Sequence, residues 1–158
     1  MSSIVGIDPG PVACGLAVYR AGQVVHADKS ASVDAVLDYL QGKDRTAEIS
    51  HVGIERVQSY GISGGSLLQT SEVVGRLFQR CLDLGLPVSL HYRRDVLRFL
   101  DVTGRGNRDS LVRHRLIELH GGTREAAVGR KRTPGPLYGV SGHSWQALAV
   151  ALCAGDTQ

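Results

Sequence analysis

Cysteine is scarce in this sequence: Cys14, Cys81 and Cys153 are the only three in 158 residues, widely spaced and each among apolar neighbours. An odd, scattered set excludes a disulfide framework and forms no metal-type pair, so reduced, buried thiols of a cytoplasmic protein are expected. Long apolar runs are also lacking. The longest, residues 147–154, is far too short to cross a membrane, so no membrane partner is expected. The N-terminus has no basic segment followed by an apolar one, and no signal peptide is expected. Residues 59–66 form a Gly-rich stretch without a following Gly-Lys-Ser/Thr, which excludes a phosphate-binding loop of that kind. Repeats and low-complexity tracts are absent. The length suits a single domain, residues 1–158, with a real core.

Charge is present but uneven. The net charge is +3, yet residues 93–132 hold eleven Arg and Lys against five Asp and Glu, while the remainder is net acidic. A basic second half beside an acidic first half fits a polyanionic partner; the alternative is a solvated, Arg-rich surface.

Taken in order, residues 3–8, 14–19 and 23–31 read as a three-strand meander, with Ala21-Gly22 as a tight hairpin. Ser32 is placed to cap a helix that carries Val33, Val36, Leu37 and Leu40 at helical spacing and stops at Gly42. Residues 49–57 form a fourth strand and 86–92 a fifth. Between them a helix over 67–84 puts Val74, Leu77, Phe78 and Cys81 on one face, with Gly85 as its stop. A short helix over 93–98 and a flexible basic loop over 103–108 follow. Asp109 is expected to cap a helix that turns Val112, Leu116 and Leu119 inward. Residues 123–139 read as a basic loop, and residues 142–153 as a last helix with Trp145, Leu148, Ala149 and Leu152 on its apolar face. This order implies an α/β domain: a mixed five-stranded sheet with helices packed on it.

Three polar groups sit in or beside apolar elements. Asp8 ends the first strand at a Pro9-Gly10 turn, Glu55 lies late in the fourth strand, and His143 opens the last helix with Gln146 three residues on. Converging, Asp8, Glu55 and His143 could share a divalent ion, and a set containing imidazole suits Mn²⁺ better than Mg²⁺. Two such ions about 4 Å apart would serve phosphodiester cleavage. The plainer alternatives are that Asp8 caps its turn, Glu55 pairs with a neighbouring Arg, and His143 caps the helix start.

These residues carry a family resemblance. The stretch Ile4-Val5-Gly6-Ile7-Asp8-Pro9-Gly10, followed by Gly15, resembles the opening of RuvC-type Holliday junction resolvases, members of the RNase H-like superfamily. Gly53-Ile54-Glu55-Arg56-Val57 resembles their second acidic strand, and residues 87–94 with Val96 their next strand and turn. Val102-Thr103-Gly104-Arg105-Gly106 resembles their Gly-rich loop, and residues 147–152 the helix that ends their active site. The run Pro134-Gly135-Pro136-Leu137-Tyr138-Gly139-Val140 with His143-Ser144-Trp145 looks most like the bacteriophage and prophage branch.

The resemblance implies an RNase H-like fold, a homodimer, a divalent metal (Mg²⁺, or Mn²⁺) and endonucleolytic cleavage of four-way or other branched DNA in a bacterial cytoplasm. It maps the family's acidic residues to Asp8 and Glu55, and its pair on the last helix to His143 and Gln146. Both helix positions depart from the usual acids. A neutral amide is a weak ligand for a hard cation, so either three ligands suffice, or another carboxylate such as Asp109 substitutes, or activity is reduced. The resemblance also turns Arg93, Arg94, Arg105, Arg108 and Arg113 toward DNA phosphates, with the basic run Arg130, Lys131 and Arg132 beside them, and offers Tyr60 as a stacking aromatic. A branched-DNA-binding protein with weakened or lost catalysis is the alternative, motivated by Gln146. An actin-like nucleotide-binding domain is a third and weaker reading: an Asp-x-Gly turn also opens that fold, but the sequence is short for its two lobes and shows no second phosphate loop.

Overall fold

A near-continuous apolar strand forms the centre of the molecule. In the computed structural model, which describes residues 2–42, 46, 48–59, 61 and 64–157, β1 (Ser3–Asp8) lies between two other strands. It pairs antiparallel with β2 (Ala13–Arg20), which pairs antiparallel with β3 (Gln23–Ser32). On its other edge it pairs parallel with β4 (Ile49–Arg56), and β4 pairs parallel with β5 (Val88–Tyr92). The sheet order is therefore β3-β2-β1-β4-β5. The expected mixed five-stranded sheet flanked by helices is what the chain forms.

Pleat parity divides the core. Val5, Ile7, Val52 and Ile54 point to one face, where they pack with α1 (Val33–Gln41) and α2 (Gly65–Asp83). Ser32 caps α1, its side chain accepting from the Ala35 N–H. Gly85, at φ +69°, turns the chain away after α2. The opposite face is covered by α3 (Arg93–Phe99), α4 (Arg108–Leu119) and a last helix, α6 (Ser144–Asp156).

Gly6 explains why α6 lies so close to the sheet. A Cβ at Gly6 would stand 1.9 Å from the Ala147 carbonyl oxygen, and one at Gly53 would stand 2.7 Å from the Ala154 Cβ. Lacking side chains there, β1 and β4 let the Ala-rich helix settle onto the backbone. Only part of the expected one-sided pattern of α6 holds, because the helix is buried nearly all round: Gln146, Ala147, Val150 and Ala151 are covered as fully as Trp145, Leu148 and Ala149, and Leu152 is only partly buried.

Three other expectations are corrected. The cap of α4 is Asn107, whose side chain accepts from the Asp109 and Ser110 N–H groups, so Asp109 is left free for other partners. Leu119, at the end of α4, is 51% exposed, since the helix leaves the core after Leu116. Residues 123–139 contain a one-turn helix, α5 (Arg124–Ala127), and a two-stranded ribbon, β6 (Gly129–Arg130) with β7 (Thr133–Pro134). The three cysteines are free and buried, as expected. Among the described residues, no helix is long and apolar enough to cross a membrane.

Candidate active site

The parallel register of β1 and β4 builds the site. Ile7 pairs with Ile54, so the next residues, Asp8 and Glu55, stand side by side at the carboxyl ends of their strands. Both share pleat parity with the glycines under α6, and so project to the face that α6 covers. Asp8 also pairs across β2 with Gly15, where a Cβ would lie 2.3 Å from the His143 carbonyl oxygen. That missing side chain seats the start of α6 directly over Asp8. His143 Nδ1 consequently lies 3.2 Å from Asp8 Oδ2. A carboxylate can only accept, so Nδ1 carries the proton in this contact.

Both carboxylates are sheltered, with side chains 17% exposed. Burial raises the pKa of Asp8 against the opposing pull of His143 and Arg93. Glu55 is pushed up to about 7, by burial first and then by the nearby charge of Asp8, while Arg93 pulls the other way. Its Oε2 is buried without a hydrogen-bond partner. The reason lies in its neighbours. His91, opposite Glu55 in the β4–β5 register, points its Nε2 at Ser89 Oγ, 2.6 Å away, and its Nδ1 toward Cys153 Sγ at 3.7 Å. The nearest cation, Arg93 Nη1, stands off at 3.7 Å.

Arg93 is the centre of the remaining polar contacts. As the first residue of α3 it follows β5 directly, at the same end of the sheet as Asp8 and Glu55. It donates through Nη1 to Gln146 Oε1 and through Nη2 to Asp109 Oδ1. Gln146 is 6% exposed, and because a guanidinium only donates, its amide oxygen must be the atom that faces Arg93.

The sequence-predicted residues thus separate into two groups. Asp8 meets His143, while Glu55, Asp109 and Gln146 gather around Arg93. Among the described residues, no three His, Cys, Asp or Glu side chains converge as a ready-made ion cage. A buried carboxylate oxygen without a donor, next to a second sheltered carboxylate, nevertheless fits a hard cation.

Two clefts flank His143. One, of about 280 Å³, includes Asn107, Asp109, Arg113 and Gln146 in its lining; the other, of about 260 Å³, includes Asp8, Pro9 and Lys29. Lys29 escaped the sequence reading, because a single lysine on an edge strand carries no local signal. Arg94 and Arg108 line a neighbouring cleft with Arg93, and Arg105 is exposed on the loop before α4. Arg130, Lys131 and Arg132 are exposed at the β6–β7 ribbon, whose own cleft contains none of the central residues. Tyr60 lies outside the described residues.

No family model matches the chain. It is 27% identical over 164 residues, covering 95% of this chain and 77% of the other, to the crossover junction endodeoxyribonuclease RuvC of Bifidobacterium adolescentis. It is 28% identical over 125 residues to the protein of the same name from Corynebacterium efficiens, covering 69% of this chain and 55% of that one. In three dimensions it matches Thermus thermophilus RuvC, solved in complex with a Holliday junction substrate, with a TM-score of 0.64 at 20% identity over 96% of this chain and 91% of the other. A second Thermus thermophilus RuvC structure gives 0.64 at 19% identity, covering 96% and 92%. In sequence over nearly its whole length, and in its RNase H-like fold, the chain is similar to RuvC-type Holliday junction resolvases.

Proposed function

We propose that the protein is a crossover junction endodeoxyribonuclease: a metal-dependent, structure-selective enzyme that hydrolyses phosphodiester bonds in Holliday junctions or related branched DNA. One observation carries this reading. Two sheltered carboxylates, Asp8 and Glu55, stand side by side beneath an exposed imidazole, with one oxygen of Glu55 buried and unpartnered. The similarity to RuvC across 95% of the chain supplies the substrate class.

Asp8, Glu55 and His143 are the residues that would hold Mg²⁺ or Mn²⁺. When bound, such an ion activates water and stabilises the leaving oxygen of the phosphodiester. The protein's own contribution is positional. His143 Nδ1 holds a proton against Asp8 and fixes the orientation of that carboxylate. Arg113 and Arg108, in the clefts beside the acidic centre, with Arg94 and Arg105, grip backbone phosphates and set the strand's register without reading bases. Arg130, Lys131 and Arg132, exposed at the β6–β7 ribbon, offer further positive charge to DNA phosphates. The protein works as a homodimer in a bacterial cytoplasm, and the 134–145 region supports a place in the phage and prophage branch.

The test is incubation with a synthetic four-way junction and with linear duplex of the same sequence, in Mg²⁺. Nicks confined to the junction are expected; equal cutting of both substrates contradicts structure selectivity. The Arg93–Gln146 contact favours one second reading, a junction binder with lost catalysis. Tight binding without cleavage in Mg²⁺ or Mn²⁺, and no gain from Gln146→Asp, would support it.

A further inference from the structure

Arg93 is the least exposed of the three arginines of α3. Its side chain is 27% accessible, against 58% for Arg94 and 80% for Arg98. A residue whose task is to reach DNA phosphates should extend into solvent. Arg93 instead folds back among Gln146, Asp109 and Glu55. The buried Gln146 explains why. Asp109 already pairs with one arm of the guanidinium, and a carboxylate at position 146 would add a second acid to it. An amide oxygen anchors the other arm without adding that charge, so Arg93 still acts on Glu55.

We propose that Arg93 is a built-in cation of the acidic centre, seated there by Gln146, so that the centre takes one divalent ion rather than two. This rests on reading Asp8 and Glu55 as metal-binding carboxylates. Asp8, Glu55 and Asp109 with Arg93 leave a net charge that one divalent ion balances. A second ion would crowd against a fixed positive charge at short range. The amide at position 146 is then not a degraded ligand. It is the residue type that seats a guanidinium where a metal-binding acid would otherwise be needed.

Mn²⁺ binding to the DNA-free protein, followed by the electron paramagnetic resonance of the free ion, tests this without reference to activity. Wild type should bind one Mn²⁺ per chain. Arg93→Gln should bind at least about tenfold more tightly, because a like charge beside the ion is gone. Arg93→Lys, which keeps the charge, should stay within about threefold of wild type. Gln146→Met releases Arg93 without touching it and should also tighten binding, while Arg93→Gln combined with Gln146→Asp should take up a second ion. Two ions on wild type, or unchanged affinity in both Arg93→Gln and Gln146→Met, would overturn the proposal while sparing the metal reading. Asp8→Asn separates the two: it should abolish Mn²⁺ binding. Binding that persists in Asp8→Asn, or that is absent from wild type and Arg93→Gln alike, would overturn the metal reading and the role of Arg93 together.

Discussion

His143 Nδ1 meets Asp8 Oδ2 at 3.2 Å, across 135 residues of chain. The contact exists because Gly15 has no side chain to hold α6 away from β2. His143 lowers the pKa of Asp8 against the upward pull of burial. Removing it in His143→Ala should therefore shift the acid limb of the cleavage-rate profile to higher pH, and should slow cleavage roughly 10–100-fold, as loss of an orienting partner does. Rate against pH for the two proteins checks both effects. A profile that only drops, without moving, would assign His143 no influence on Asp8.

Glu55 gives a stability prediction. Its pKa in the fold is about 7 against an ordinary value of 4.5, so between these values the folded state binds more protons than the unfolded state. Stability of metal-free protein should then be greatest below pH 4.5 as far as Glu55 is concerned, and fall as pH rises to 7, by up to about 3 kcal/mol. Asp8, also raised, adds in the same direction. Urea titrations in chelator across this range should show the fall, and Glu55→Gln should flatten it. Stability that rises through this window in wild type but not in Glu55→Gln would contradict the burial of an uncompensated acid.

Gly6→Ala tests the seating of the last helix. The new Cβ would press 1.9 Å from a backbone oxygen of α6, a contact no rotamer can relieve. A loss of at least about 3 kcal/mol is expected, by chemical denaturation. A loss under about 1 kcal/mol would show that α6 can lift from the sheet at little cost.

Junction affinity should fall steeply with salt, since several Arg and Lys would displace counterions from DNA. Arg113→Ala should reduce the slope of log affinity against log salt by about one and weaken binding to all junction sequences alike. A variant that changes sequence preference instead would place Arg113 against a base.

Much of this was legible before any coordinates. β1, the Ser32 cap and the long helix ending at Gly85 follow from strong periodicity with matching end signals. Asp8 and Glu55 stood out as acids at the ends of apolar strands. What escaped has physical causes. Asn107 and Asp109 are both good caps two residues apart, and local sequence does not choose between them. The β6–β7 ribbon, two residues a side, is too short to alternate. Arg93 looked like one more DNA-facing arginine, because its partners Gln146 and Asp109 lie 53 and 16 residues away and meet it only through the sheet. The all-round burial of α6 follows from the missing side chains on the strands below, and the helix's own sequence does not reveal it.

Whether Asp8 and its neighbours cut branched DNA is decided by cleavage of a synthetic four-way junction by wild type and Asp8→Asn, in Mg²⁺ and in Mn²⁺. Wild type should cut in at least one metal. Asp8→Asn should lose at least about 100-fold in rate while binding the junction as well or better, because a charge that repels phosphate is gone. Full cleavage by Asp8→Asn would place the catalytic centre elsewhere.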